Sequence, residues 1–189
     1  FSVKADFYRS RIETVLMGYK ETFGGDSPRI FTAPGRTEIG GNHTDHQHGC
    51  VLAAAVDLDI LAAAEENDSN KIRILSDGYD MVEIDLSSLE AVEDEKNTSA
   101  SLIRGVAAKI TEMGYEVKGF DSFMISNVLK GSGLSSSAAF EVMIGVIING
   151  LFCNGEIDPV KIAVIGQYAE NVYFGKPSGL MDQTASSVG

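Results

Sequence analysis

Polar side chains crowd into a short, glycine-punctuated segment in the first quarter of the chain. Residues 33–49 form this segment and read APGRTEIGGNHTDHQHG; its hydrogen-bonding members are Arg36, Asn42, His43, Asp45 and His46. Such groups can bind hydroxyls, so the segment suits recognition of a sugar. Its potential zinc or iron ligands are His43, Asp45, His46 and His48. A metal site and a hydrated loop are therefore alternative interpretations of the same residues.

A second candidate segment is rich in glycine and serine. Residues 130–139 read KGSGLSSSAA and lie between a predicted strand and the most apolar predicted helix. Glycines allow close backbone approach, and the free N–H groups of a helix N-terminus attract anions, so this loop could hold phosphates with few basic side chains. It lacks the Gly-Lys-Ser/Thr ending of a P-loop. A flexible turn with a serine N-cap is the alternative.

Two carboxylates mark a third segment, residues 169–184, which read AENVYFGKPSGLMDQT. We predict Glu170 on the inner side of a largely apolar helix and Asp182 in a buried turn. A buried carboxylate needs a partner, which makes the pair candidates for chemistry. Taken singly, each is more typical of a helix surface, a cap or an Asx turn.

Hydrophobic periodicity predicts the elements that position these segments. We expect strands at 29–33, 60–64, 71–76 and 81–86 in an antiparallel meander, and a further strand at 123–128. We expect helices from Phe7 to Phe23, from Leu102 to Met113, at 138–152, and after the N-cap Asp158 with Pro159 in the first turn. The fold class predicted from this mixture is α+β.

Composition narrows the possible partners and compartments. The 189 residues carry a net charge of -12, which disfavours nucleic acids and anionic membranes because both repel an acidic protein. Cys50 and Cys153 each lie in an apolar stretch, so we expect two buried, reduced thiols and a cytoplasmic protein. No apolar run reaches the length of a membrane span. Since the chain opens at Phe1 without a methionine, we also expect a piece of a longer protein.

Together the three segments resemble one family, the GHMP kinases, and within it the galactokinases. Residues 33–49 resemble the galactokinase sugar-binding motif, residues 131–137 the ATP loop of the family, and residues 179–183 its catalytic-base segment. Their order and spacing also match. The resemblance implies that residues 1–189 form the N-terminal GHMP domain, with a β-α core like that of ribosomal protein S5 domain 2. It also implies a C-terminal domain that is absent from this chain.

The resemblance assigns a role to each matching residue. Asp182 would accept the proton of the sugar's anomeric hydroxyl, and Arg36 would stabilise charge on the transferring phosphoryl group. The sugar would be bound by Asn42, His43, Thr44, Asp45 and Gly179. The ATP phosphates would be bound by Gly131, Ser132, Gly133, Leu134, Ser135, Ser136 and Ser137. The ligands of Mg²⁺, which prefers oxygen, would be Ser137 and Glu170.

Four positions depart from the family pattern. Asn42 stands where the family usually has Glu, Glu38 where it has Asn, His46 where it has Tyr, and Leu129 where it has Pro. Because Asn donates as well as accepts hydrogen bonds, one sugar hydroxyl would be bound differently. Galactose is the favoured substrate, with a related sugar as an alternative.

The resemblance therefore implies a cytoplasmic kinase that uses ATP and Mg²⁺ to convert galactose to galactose 1-phosphate, with only a sugar and ATP as partners. Two further hypotheses stay open. One is a non-catalytic sensor of sugar and nucleotide on the same fold. The other is a metal-dependent hydrolase built on His43, Asp45, His46 and His48.

Overall fold

The computed structural model describes residues 2–189 of the chain. Its helices are α1 (Ser2–Phe23), α2 (Ser99–Glu112), α3 (Ser136–Phe152), α4 (Pro159–Tyr168) and α5 (Met181–Val188). Its strands are β1 (Arg29–Gly40), β2 (Leu52–Glu66), β3 (Lys71–Ser76), β4 (Val82–Asp85) and β5 (Phe120–Ser126). Helix α4 continues directly into a π-helical turn at Ala169–Phe174. Helices together with one sheet confirm the α+β prediction.

The sheet is mixed, with strand order β1-β2-β5-β3-β4, so the predicted antiparallel meander is wrong. Strand β5 separates β2 from β3, pairing antiparallel with β2 and parallel with β3. The chain leaves β3, passes through β4 and α2, and returns as β5 in the same direction as β3. A parallel pair needs such a crossover, and local periodicity cannot reveal which strands a crossover brings together.

Helices cover both faces of the sheet. On one face, Val15 and Tyr19 of α1 pack against Leu61, Ala63 and Phe123. On the other face, α2, α3 and α4 form the larger core with the alternate side chains of β2, including Ala62 and Ala64. This alternation follows from the two-residue period of a strand, and it explains why β2 is apolar on both sides.

Three smaller predictions can also be compared with the structure. The helix after Asp158 begins as expected, because the Asp158 side chain accepts a hydrogen bond from the Val160 N–H. Both cysteines are free thiols, but Cys50 is exposed and only Cys153 is buried, so the expectation for Cys50 is wrong. Within residues 2–189, none of the helices has the length and apolarity that a bilayer crossing requires.

Candidate active site

Arg36 lies inside strand β1, whereas we expected the strand to end at Ala33. The strand runs to Gly40, and its register with β2 shifts between Pro34 and Arg36. Such an irregularity re-aims a side chain relative to the regular alternation. The Arg36 side chain is buried, so its charge needs partners within the protein.

Those partners come from the two other segments that the sequence singled out. Arg36 Nε donates to Asp182 Oδ1 at 2.6 Å, and Nη2 donates to Asp182 Oδ2 at 2.9 Å. Nη1 donates to the Gly133 carbonyl at 2.7 Å, and the Arg36 N–H donates to the Leu134 carbonyl at 3.1 Å. A bidentate pair of this kind has strong directional preference. One arginine therefore joins the polar segment, the glycine-serine loop and the third segment.

Asp182 has two further neighbours. The Ser135 hydroxyl donates to Asp182 Oδ2. His43 Nε2 lies 3.5 Å from Asp182 Oδ1 on the open side of the site. The carboxylate is thus surrounded by groups from β1, from the turn after it and from the loop before α3.

Asp182 is the second residue of α5, so the predicted buried turn is wrong. A carboxylate in the first turn of a helix is stabilised by the positive end of the helix dipole. Asp45 stabilises the N-terminus of α5, because its Oδ2 accepts the Met181 N–H at 3.0 Å. A Cβ on Gly179 would lie 1.8 Å from Asp45 Oδ2, so this contact requires glycine there.

The ionisation of Asp45 reflects two opposing influences. Burial disfavours its charged form, but the hydrogen bonds from Met181 and His43 outweigh burial, and the pKa of Asp45 lies below its usual value. His43 Nδ1 is 3.0 Å from Asp45 Oδ1. Asp45 therefore holds a fixed negative charge between His43 and the start of α5.

A cavity of about 230 Å³ opens beside Asp182. It is lined by His43, His46, Lys176, Pro177, Ser178, Gly179 and Asp182. Of the predicted sugar-binding residues, His43 and Gly179 line it and Asp45 contacts both. Thr44 and Asn42 do not: the Thr44 hydroxyl donates to the Gly41 carbonyl, and Asn42 is exposed in the left-handed conformation.

The predicted phosphate loop has the backbone of an anion-binding turn. Gly131, Gly133 and Ser135 all have positive φ angles of 79°, 78° and 54°. Successive turns of this type direct N–H groups toward one side of the chain. Ser137 follows in the first turn of α3, where N–H groups lack partners within the helix.

Glu170 is buried in the π-helical turn beside a second carboxylate, which belongs to none of the three segments. Glu141, in α3, is fully buried, and burial followed by the nearby Glu170 charge raises the pKa of Glu141 well above its usual value. Gln183 Nε2 donates to Glu141 Oε2 and to Glu170 Oε2, each at 2.9 Å. Lys176 Nζ lies 3.1 Å from Glu170 Oε1. The sequence signal is that Glu141 is the single charged residue in a largely apolar helix.

The predicted four-ligand metal group comes together only in part. Ligand atoms of His43, Asp45 and His46 lie within 4.8 Å of one another, but His48 is outside this group. The same His43 and Asp45 already contact each other and the start of α5. Among the described residues, no hydrogen bond joins the Ser137 hydroxyl to Glu170, so the two predicted Mg²⁺ ligands are not directly linked.

Two family models match the chain. The galactokinase galactose-binding signature matches residues 17–66, and the GHMP kinases N terminal domain matches residues 101–189. The matched ranges contain all three segments whose side chains meet at Asp182. The chain belongs to the GHMP kinase family.

Curated members of the family align along most of the chain. A galactokinase of Ligilactobacillus salivarius is 38% identical over 173 residues, covering 90% of this chain and 44% of that protein. A galactokinase of Clostridium tetani is 34% identical over 168 residues, covering 88% of this chain and 42% of that protein. The chain therefore spans less than half the length of these relatives.

A solved GHMP kinase structure has the same fold. The crystal structure of Lactococcus lactis galactokinase complexed with galactose superposes with a TM-score of 0.85 at 28% identity. The match covers 92% of this chain and 45% of that one. The β-α arrangement described above is therefore that of a GHMP kinase N-terminal domain.

Proposed function

We propose that this chain is the N-terminal part of a sugar kinase that transfers the γ-phosphoryl group of ATP to the anomeric hydroxyl of galactose. The observation that carries the proposal is the bidentate Arg36–Asp182 pair, because it lies where the polar segment and the glycine-serine loop meet. The galactokinase relatives support galactose as the sugar. In this proposal galactose 1-phosphate and ADP are the products.

Asp182 is proposed as the group that accepts the hydroxyl proton. Its carboxylate lies at the cavity wall, within reach of a hydroxyl bound beside His43 and Gly179. Arg36 holds this carboxylate in one orientation and adds a positive charge next to the reacting atoms. Phosphoryl transfer depends mainly on such positioning and electrostatic stabilisation. Asp45 and Thr44 would order the turn that carries His43, through the Asp45–His43 contact and the Thr44 bond to Gly41.

The loop from Gly131 to Ser137 is proposed to bind the ATP phosphates. Its left-handed residues and the N-terminus of α3 offer backbone N–H groups, which suit an anion on a protein whose net charge is -12. No dense patch of basic side chains is needed for this kind of binding.

Ser137 and Glu170 are proposed to hold Mg²⁺, and both offer the oxygen atoms that this ion prefers. Glu170 and Glu141 are buried together, and the only cation near Glu170 among the described residues is Lys176, whose side chain is 60% exposed. The buried Glu170 carboxylate therefore has only an exposed ammonium to balance it, so the residues fit a divalent cation. When bound, Mg²⁺ would neutralise charge on the transferring phosphates.

A further domain is proposed to complete the nucleotide and sugar pockets. The cavity beside Asp182 is open, and the relatives extend to more than twice the length of this chain. Residues 1–189 would then supply the base, the phosphate loop and one wall of the sugar site.

A panel of hexoses in a coupled ADP-release assay with the full-length protein tests the proposal. We expect Mg²⁺-dependent ADP release with galactose and weak release with its epimers. ADP release with none of the sugars would overturn it. If sugar and nucleotide bind without turnover, the sensor hypothesis takes its place.

One observation favours a kinase for a related sugar as the second candidate. Glu38, which departs from the family pattern, accepts the His43 N–H at 2.8 Å and so helps to shape the turn that presents His43. The same sugar panel distinguishes the two candidates, because a kinase for a related sugar would show a higher kcat/KM with that sugar than with galactose.

A further inference from the structure

Two buried polar side chains lie directly beneath the residues proposed to hold Mg²⁺. Glu141 follows Ser137 by four residues in α3, which places both on the same face of the helix, one turn apart. Gln183 follows Asp182 in α5, and its side chain is fully buried. The family resemblance and the proposed mechanism assign no role to either residue.

Gln183 connects three elements through one amide group. Both of its N–H hydrogens are used, one on Glu141 of α3 and one on Glu170 of the π-helical turn. The reverse orientation of the amide would point its oxygen at two carboxylates, so the observed one is strongly preferred. The amide therefore fixes the position of Glu170 relative to α3, which carries Ser137, and to α5, which carries Asp182.

This polar cluster is poorly explained as a fold-stabilising device. Glu141 Oε1 and Gln183 Oε1 are both buried without a hydrogen-bond partner among residues 2–189. Unsatisfied buried polar groups cost free energy, and apolar side chains of similar volume would fill the same space without that cost. Buried polar atoms without partners, next to a proposed site, suggest a functional constraint.

We propose that Glu141 and Gln183 are positioning residues that orient the Glu170 carboxylate for Mg²⁺ and hold it in register with Asp182. This inference rests on the proposed function. Outer groups that hydrogen-bond a metal ligand fix its orientation, and losing one typically lowers metal affinity or activity by about 10-fold to 100-fold. Lys176 contacts the other oxygen of Glu170 from the surface and leaves the buried oxygen to Gln183.

Substitutions in the full-length protein test the proposal through the Mg²⁺ requirement. Gln183→Met and Glu141→Leu keep the volume and remove the hydrogen bonds. We expect each to raise the half-saturating Mg²⁺ concentration about 10-fold and to lower kcat, while the KM for the sugar stays nearly constant. Mn²⁺ binding followed by electron paramagnetic resonance should weaken in parallel, which gives a readout independent of turnover.

Two variants separate positioning from general destabilisation. Glu141→Gln keeps an oxygen acceptor for the Gln183 amide, so it should retain the wild-type Mg²⁺ requirement. Ile148→Val destabilises the same helix away from the cluster, and should lower the melting temperature without changing the Mg²⁺ requirement. If Gln183→Met does not fold, Gln183→Asn replaces it in the test. Asparagine is only one methylene shorter, and this variant should also raise the Mg²⁺ requirement.

The outcomes distinguish this inference from the function on which it rests. Wild-type protein with neither ADP release nor Mn²⁺ binding would overturn both. The positioning role alone would be overturned if the wild type is active and the folded Gln183→Met and Glu141→Leu variants have an unchanged Mg²⁺ requirement. A requirement that rises equally in Ile148→Val would also overturn it, since stability would then explain the effect.

Discussion

Two arginine–aspartate pairs in this chain have nearly the same local geometry. Arg36 donates through Nε and Nη2 to Asp182 at 2.6 and 2.9 Å, and Arg73 donates through the same atoms to Asp121 at 2.7 and 2.6 Å. Both pairs are partly buried. As isolated interactions they would be assigned the same strength.

Their surroundings differ. Arg73 and Asp121 are direct partners in the register of neighbouring strands, and the Asn67 amide also donates to Asp121. Asp182 instead contacts Arg36, His43 and Ser135, and it faces a cavity. The first pair secures the pairing of β3 with β5, whereas the second joins three distant segments around open space. Pair geometry alone therefore does not identify a reactive carboxylate.

Replacing each aspartate with asparagine tests this contrast most strongly. Asp182→Asn removes the proposed base, and we expect kcat to fall by about 10²-fold to 10⁴-fold with the fold retained. Asp121→Asn should leave kcat almost unchanged. Turnover in the ADP-release assay, with circular dichroism as the check on folding, measures both. Equal losses of turnover would refute the distinction.

Exchanging each arginine for lysine sharpens the contrast. Lysine keeps the charge but loses the planar fork, so Arg36→Lys should disturb Asp182 and lower kcat by roughly 10²-fold to 10³-fold. Arg73→Lys, the matched control, should affect stability only. A wild-type rate for Arg36→Lys would mean that charge suffices and that bidentate geometry does not matter.

The Arg73–Asp121 pair should contribute more to the free energy of unfolding than the Arg36–Asp182 pair. Asp121→Asn leaves Arg73 with a weaker partner, and we expect the free energy of unfolding to fall by about 1–2 kcal/mol, a value reduced because the Arg73 side chain is 37% exposed. Urea denaturation measures the change. A larger loss for Asp182→Asn than for Asp121→Asn would contradict the structural role given to the strand pair.

The smallest effect concerns Asp45, which accepts the Met181 N–H at the start of the helix that carries Asp182. The folded state lowers the pKa of Asp45, so its ionisation stabilises the fold above the ordinary value of 3.8, and this contribution is lost as pH falls through the folded pKa. We expect the stability difference between wild type and Asp45→Asn to shrink from pH 7 to pH 3. Denaturation curves across that range would show it, and a constant difference would contradict the assignment.

The sequence predicted individual elements better than their arrangement. The strand at Lys71–Ser76 and the helix after Asp158 appear where periodicity and capping placed them. Strands β1 and β2 extend well past their predicted ends, because their polar and glycine residues are held in the ladder by partners distant in sequence. The insertion of β5 between β2 and β3 depends on a crossover that no local pattern records.

The candidate site was likewise predictable from the sequence only in part. The three segments were recognisable from residue type and spacing, and the structure brings Arg36, Asp182 and the loop before α3 together. Gln183 belongs to a motif that does not indicate its partners, and Glu141 is a lone carboxylate in a largely apolar helix, which gives no indication of what it contacts. The hydrogen bond from the Thr44 hydroxyl to the Gly41 carbonyl, within the same turn, could not be predicted from the sequence either.

The sequence by itself determined the family, the α+β class and the residue types available for chemistry, because these follow from composition, periodicity and motif order along the chain. Only the tertiary structure decided that Asp182 begins a helix held by Asp45, and that Gln183 bridges two buried carboxylates. The physical reason is that hydrogen bonds and burial act between groups close in space, and here those groups lie as many as 136 residues apart in sequence.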